Sequence, residues 1–167
     1  VENTGVQTHV GWWNSIAAGD FNNDGRIDYA AGNLGQNSNY KASFKEPMTI
    51  IGKDIDGNGS FDAMIFCYAK AKDQTRKQFP MHTREDMISQ VLSIRKKFPT
   101  YKAFGAAAMD DIWSEEDKKG AVILKATDMN TSILFNRGCG KFEVKALPAA
   151  AQETPVCGIP ALDVDQD

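Results

Sequence analysis

The fold is decided by one stretch of sequence, residues 20–28, which reads Asp20-Phe21-Asn22-Asn23-Asp24-Gly25-Arg26-Ile27-Asp28. Oxygen-bearing side chains stand at its first, third, fifth and ninth positions, and alternate residues of a tight loop can all point at one ion. Calcium takes about six to eight oxygen ligands, and the carbonyl of the seventh residue can be one of them. Glycine at the sixth position allows the positive φ that such a turn needs. We call this stretch loop 1, and its predicted Ca²⁺ ligands are Asp20, Asn22, Asp24, the Arg26 carbonyl and Asp28.

The same spacing occurs a second time and begins a third time. Loop 2 spans residues 54–62, and its predicted ligands are Asp54, Asp56, Asn58, the Ser60 carbonyl and Asp62. Loop 3 begins at residue 163 and is cut by the end of the sequence; its predicted ligands are Asp163, Asp165 and Asp167. Three occurrences favour cation sites over simple Asn/Asp/Gly-rich hairpin turns, which stay open as the alternative, above all for loop 3.

The residues after each loop separate two kinds of calcium architecture. An EF-hand needs a bidentate acid at the twelfth position and a helix after it, but Ala31 and Ile65 stand there. Runs rich in β-branched, aromatic and small residues follow both loops, and such runs predict strands. We therefore expect the loops to connect strands, with Asp28 and Asp62 at the start of the next strand. Dockerin-type helical loops are disfavoured on the same grounds.

Two longer stretches carry a family resemblance. One extends loop 1 and reads Gly19-Asp20-Phe21-Asn22-Asn23-Asp24-Gly25-Arg26-Ile27-Asp28-Tyr29-Ala30-Ala31-Gly32-Asn33; the other reads Ser132-Ile133-Leu134-Phe135-Asn136-Arg137-Gly138-Cys139-Gly140-Lys141-Phe142. The first resembles the FG-GAP (VCBS-type) repeat, the blade unit of integrin-α-like β-propellers, and the second resembles the strand, Asn-x-Gly-x-Gly turn and strand of the same repeat. The resemblance covers most of residues 12–68 and 121–167. It implies a mainly β fold, a partial β-propeller of two to three blades of antiparallel strands with calcium loops.

A helical segment interrupts the repeat pattern. The first acids of loops 1 and 2 are 34 residues apart, whereas those of loops 2 and 3 are 109 apart. We assign residues 1–79 and 121–167 to blade regions and 80–120 to an inserted helical segment. In that segment Thr83 and Asp86 predict a capping box, and apolar residues at helical spacing predict a helix that Pro99 stops. The helices are expected either to decorate the propeller rim or to form a lid or docking surface.

Composition narrows the function classes and the compartment. A net charge of −3, without a basic patch, argues against a nucleic-acid partner, and no apolar run reaches the roughly 20 residues of a membrane span. The three cysteines have no metal-motif spacing; a Cys139–Cys157 disulfide is possible. Loops of this kind saturate where calcium is abundant, so we expect an extracellular, cell-surface or periplasmic location.

These observations favour a binding module over an enzyme. Closing a propeller takes about four to eight blades, so we expect this chain to be one piece of a longer protein. Its open sheet edges would then favour self-association, with a compact two-sheet monomer as the alternative. We predict a calcium-stabilised adhesion or binding module that recognises a protein or glycan. A non-catalytic part of a larger carbohydrate-active or other hydrolytic enzyme is the second hypothesis, and a pure scaffold is a third. No catalytic residue is predicted.

Overall fold

The structure is a computed structural model that describes residues 4–162. Its strands are β1 (Ser15–Gly19), β2 (Asp28–Gly32), β3 (Met48–Lys53), β4 (Asp62–Lys70), β5 (Arg76–Pro80), β6 (Val122–Ala126), β7 (Ser132–Asn136) and β8 (Phe142–Ala146). Its helices are α1 (Arg84–Gln90), α2 (Ile94–Lys97), α3 (Tyr101–Phe104), α4 (Met109–Ile112) and α5 (Glu115–Lys118), with a 3₁₀ turn at Ala149–Gln152. Loop 3, with Asp163, Asp165 and Asp167, lies outside the described residues.

The chain divides into two compact units. Unit 1 joins the segment that ends at Phe44 to the segment that starts at Ala126, and unit 2 is the continuous stretch Lys45–Lys125. Each unit contains a four-stranded sheet, ordered β1-β2-β7-β8 in unit 1 and β5-β4-β3-β6 in unit 2. The mainly β fold class is therefore confirmed, whereas the arrangement of the sheets as propeller blades stays a prediction, as does the assignment of 1–79, 80–120 and 121–167 to blades and insertion.

The sheet of unit 1 is assembled from two distant parts of the sequence. Strands β1 and β2 form a hairpin through loop 1, and β7 and β8 form a second hairpin. The two hairpins join where β2 pairs antiparallel with β7, with Ala31 opposite Ser132. Both residues are buried, as expected for the two central strands of a four-stranded sheet.

The hydrophobic core of unit 2 lies between its sheet and its helices. The sheet contributes Ile51, Met64 and Phe66, of which the first two are cross-strand partners. The helical segment contributes eight core residues, namely Met87, Val91, Ile94, Phe98, Phe104, Ala107, Ile112 and Trp113. The Trp113 indole is 1% exposed and its Nε1 donates to the Met64 sulfur at 3.0 Å. The helices therefore supply much of the core of unit 2. This packing in turn is what stabilises them, since an amphipathic helix is stabilised mainly by tertiary contacts.

The predicted helix over residues 83–98 is correct at its start and wrong in its continuity. The capping box is present, with the Asp86 amide donating to the Thr83 hydroxyl and the Asp86 carboxylate accepting from the Thr83 amide. The helix breaks at Val91, whose extended backbone ends α1. The Ser89 hydroxyl donates to the Asp86 carbonyl, a local bond that competes with helix propagation. Leu92, one of the apolar residues of the predicted helix, lies just after this break and is 63% exposed.

Two further expectations can be compared with the structure. Within residues 4–162 the helices are all too short and too polar for one of them to span a bilayer. Cys139 and Cys157 are exposed free thiols, so the disulfide between them that the sequence allowed does not form.

Candidate metal centre

Loops 1 and 2 both connect the strands of a β-hairpin. Loop 1 joins β1 to β2, and loop 2 joins β3 to β4. Asp28 is the first residue of β2 and Asp62 the first residue of β4, and the exposed fraction of these residues is 0% and 2%. The sixth-position glycines, Gly25 and Gly59, have φ values of 79° and 86°. The strand–loop–strand placement and the glycine conformation expected from the sequence are confirmed.

The two loops share one pattern of side-chain to backbone hydrogen bonds. In loop 2 the Asp54 carboxylate accepts from the amides of Asn58 at 3.0 Å and Gly59 at 2.8 Å, and the Asp62 carboxylate accepts from the amide of Ile55 at 3.1 Å. The corresponding bonds in loop 1 run from Asp24 and Gly25 to Asp20, and from Phe21 to Asp28. The third-position side chain accepts from the fifth amide, and the fifth-position side chain accepts from the seventh amide, in both loops.

Loop 2 gathers three carboxylates at one point. Oxygen atoms of Asp54, Asp56 and Asp62 all lie within 4.8 Å of one another. Within residues 4–162 no lysine or arginine forms an ion pair with any of the three. At a separation of 4.8 Å two such charges repel by about 1 kcal/mol in water and about 3 kcal/mol at an effective dielectric constant of about 20. A bound cation would remove this repulsion.

Loop 1 carries its own cation. The Arg26 guanidinium forms an ion pair with the Asp24 carboxylate, and its Nε donates to the Asn136 carbonyl at 2.8 Å. Among the described residues, Asp20, Asp24 and Asp28 do not meet the 4.8 Å spacing that the loop 2 acids meet. Loop 1 therefore keeps the backbone pattern of loop 2 while part of its negative charge is already neutralised.

Asp28 ties loop 1 to the neighbouring hairpin. Its Oδ2 accepts from the Phe21 amide at 3.2 Å and its Oδ1 accepts from the Asn136 amide at 2.7 Å. The Asn136 side chain in turn donates to the Ile27 carbonyl at 3.1 Å. Asn136 was predicted as a turn residue without a role at the loop. The only sequence signal for that role is its place in the Asn-x-Gly-x-Gly turn.

The backbone of loop 1 also favours the ionised form of its first acid. Partial burial acts to raise the pKa of Asp20, but hydrogen bonds from the backbone amides of Gly25, Asp24, Asn22 and Asn23 outweigh it and hold that pKa below its usual value. A carboxylate that accepts several backbone N–H bonds is stabilised in its charged form, which is the form that binds a cation.

The donor set of loop 2 fits a hard divalent cation. Every predicted ligand in the loop is an oxygen, and each carboxylate oxygen keeps a lone pair after it accepts one backbone hydrogen bond. Those hydrogen bonds already hold the side chains in place, so binding an ion orders few further groups. Asp54, Asp56 and Asp62 could thus hold a metal ion, whereas the roles of Asn58, the Ser60 carbonyl and all loop 1 ligands stay predictions.

Comparison with known proteins adds no assignment to this geometry. No protein-family model matches the chain, and no solved structure matches it.

Proposed function

We propose that this chain is a calcium-stabilised β-domain of the FG-GAP type that serves as a binding module for a protein or a glycan. The observation that carries the proposal is the group of three unneutralised carboxylates in loop 2, all within 4.8 Å of one another. Calcium bound there fixes the connection between β3 and β4. The role is structural, since a continuous loop surrounds the ion with its own oxygens and leaves little coordination for a substrate.

The helical segment offers a contact surface to a partner. Leu92 and Tyr101 are 63% and 68% exposed although they are large and apolar or aromatic. Inserted segments on a scaffold of strands commonly carry the binding role. A domain that requires abundant calcium is expected outside the cell, at its surface or in the periplasm.

The calcium part of the proposal is tested by thermal unfolding with calcium and with EGTA. An ion at about 100 times its Kd stabilises by about 2.7 kcal/mol, and for a unit of this size that corresponds to a shift of melting temperature on the order of 10 °C. The D54N variant should lose most of the shift. The matched control E153Q, which removes an exposed acid of unit 1, should keep it. An equal melting temperature in both buffers contradicts the proposal.

The binding part is tested on immobilised glycans and purified surface proteins, in calcium and in EGTA. We expect a retained partner in calcium, and weaker retention in EGTA because the module loses rigidity. The L92D variant should lower retention without changing the melting temperature, since Leu92 lies outside the core. If no partner is retained in calcium buffer, the binding role fails while the calcium site stands.

A further inference from the structure

A second candidate site lies in unit 1, away from the calcium loops. A cavity of about 500 Å³ opens on one face of the β1-β2-β7-β8 sheet. Its apolar wall includes Val6, Ile16, Leu134 and Val144, and the last two are cross-strand partners on the same face. No residue of loop 1 or loop 2 lines it. Cavities of about 300–1,000 Å³ with mostly apolar walls and a few fixed polar groups are typical ligand sites.

The polar residues that line the cavity include Asn14, Ser15 and a histidine, His9, with a fixed orientation. The Nδ1 atom of His9 lies 2.7 Å from Oδ2 of Asp128, whose exposed fraction is 6%. The other carboxylate oxygen of Asp128 accepts from the amide and the side-chain nitrogen of Asn130 at 2.9 and 2.7 Å. The Phe44 ring meets the imidazole edge-on, with centroids 5.1 Å apart. Asp128, held by Asn130, and Phe44 therefore determine the orientation of the ring.

The hydrogen bond at Nδ1 also leaves the second ring nitrogen of His9, Nε2, as the atom that can bond to a ligand. An ionised carboxylate only accepts hydrogen bonds, so Nδ1 of His9 carries the hydrogen. Among the hydrogen bonds of residues 4–162, the imidazole of His9 uses only Nδ1, so Nε2 keeps its bonding capacity. Asp128 does not line the cavity, while His9 does. The pair thus brings an imidazole of fixed orientation to a mostly apolar cavity, and a hydroxyl group, which both donates and accepts, can pair with Nε2.

The neighbouring serine argues for binding rather than for acyl transfer. Ser15 also lines the cavity, but its hydroxyl donates to the Val156 carbonyl at 2.8 Å. A serine nucleophile would instead have to donate to the histidine. Trp13, at the cavity wall, is likewise held, because its indole nitrogen donates to the His9 carbonyl at 3.1 Å.

We propose that this cavity binds a small apolar molecule that carries one hydroxyl group, with the hydroxyl hydrogen-bonded to Nε2 of His9. The hydrocarbon part contacts Val6, Ile16, Leu134 and Val144. A glycan fits this wall less well than a molecule with one hydroxyl, because most of its hydroxyls would face Val6, Ile16, Leu134 and Val144 without partners.

The test compares two probes that differ by one hydroxyl, 4-propylphenol and propylbenzene, titrated into the protein in calcium buffer. Binding is followed by the ¹⁵N shifts of the His9 imidazole and the Trp13 indole. We expect saturable binding of both probes, with the phenol bound about fivefold more tightly, which is the usual effect of one hydrogen bond. The H9F variant should bind both probes equally, and V144W, which fills the cavity, should bind neither.

Three binding results would each overturn the proposal. They are absence of saturable binding by either probe, equal affinity of the wild type for both probes, and a retained preference for the phenol in H9F. If sedimentation shows that a second copy of the chain covers this face and excludes the probes, the proposal is overturned as well. Folding of each variant is checked by its amide ¹H–¹⁵N spectrum, which reports on unit 1 directly. Loss of probe binding with an intact calcium-dependent shift of melting temperature is distinct from failure of the calcium site, because no residue of loop 2 lines the cavity.

Discussion

Loops 1 and 2 have the same backbone hydrogen bonds and different charges. In both, the first acid accepts from the fifth and sixth amides and the ninth acid accepts from the second amide. Loop 1 adds the Arg26 guanidinium and three hydrogen bonds with Asn136. Loop 2 has three close carboxylates and no such cation among the described residues. The turn geometry therefore follows from the spacing of Asp, Asn and Gly, whereas the negative charge that a metal would have to neutralise depends on the residues around the turn.

The largest expected difference between the loops is in the stability lost when the acid at the ninth position is removed, Asp28 in loop 1 and Asp62 in loop 2. In D28A the partly buried amides of Phe21 and Asn136 lose their acceptor, and we expect the free energy of unfolding to fall by about 2–4 kcal/mol. In D62A only the amide of Ile55 loses its acceptor. In EGTA we therefore expect the free energy of unfolding to fall by about half as much as in D28A. Urea unfolding measures both.

The isosteric control for that pair is D28N, which keeps one acceptor oxygen and should lie between the wild type and D28A. A loss in D62A equal to or larger than that in D28A, measured without calcium, would contradict the role of Asn136 as the second support of loop 1.

A smaller difference is expected in the response of each loop to calcium. Amide hydrogen exchange should slow by about tenfold or more at Asn58 and Gly59 when calcium is added, because these amides donate to Asp54 and local opening becomes harder. The corresponding amides of Asp24 and Gly25 should slow less, because Arg26 already neutralises part of loop 1. A stronger effect of calcium on loop 1 than on loop 2 would reverse the comparison.

The smallest effect is expected from removing the guanidinium itself. R26Q should raise the affinity of loop 1 for calcium by about fivefold, since an exposed ion pair contributes up to roughly 1 kcal/mol. Isothermal titration in a D54N background isolates loop 1. The matched control is R137Q, which removes another exposed arginine of unit 1, one paired with Glu143, and should leave the affinity unchanged. An unchanged affinity in R26Q would show that the ion pair does not compete with a metal.

Local signals in the sequence predicted most local features. Asp28 and Asp62 were expected at the start of the strands after loops 1 and 2, and they are the first residues of β2 and β4. The predicted capping box of Thr83 and Asp86 is also present. Each of these depends on residues within a few positions of one another. The β5 strand was missed, because Arg76–Pro80 has no alternation of apolar residues.

Contacts between residues that are far apart in the sequence could not be predicted from local sequence patterns. The Asp28–Asn136 contact spans 108 residues and the His9–Asp128 contact spans 119. No spacing rule connects such pairs without the sheet that brings them together. The site at loop 2 was predictable because all of its acids lie within nine consecutive residues.

The insertion of unit 2 between β2 and β7 has a consequence for synthesis on the ribosome. Ala31 pairs with Ser132, which is synthesised about 100 residues later. At roughly 5–20 residues per second this separation corresponds to a delay of about 5–20 seconds. During that delay the β1–β2 hairpin emerges with one edge unpaired, while the whole of unit 2 becomes available as one continuous segment. Nascent chains are thus expected to complete the middle of the sequence first and the two ends last.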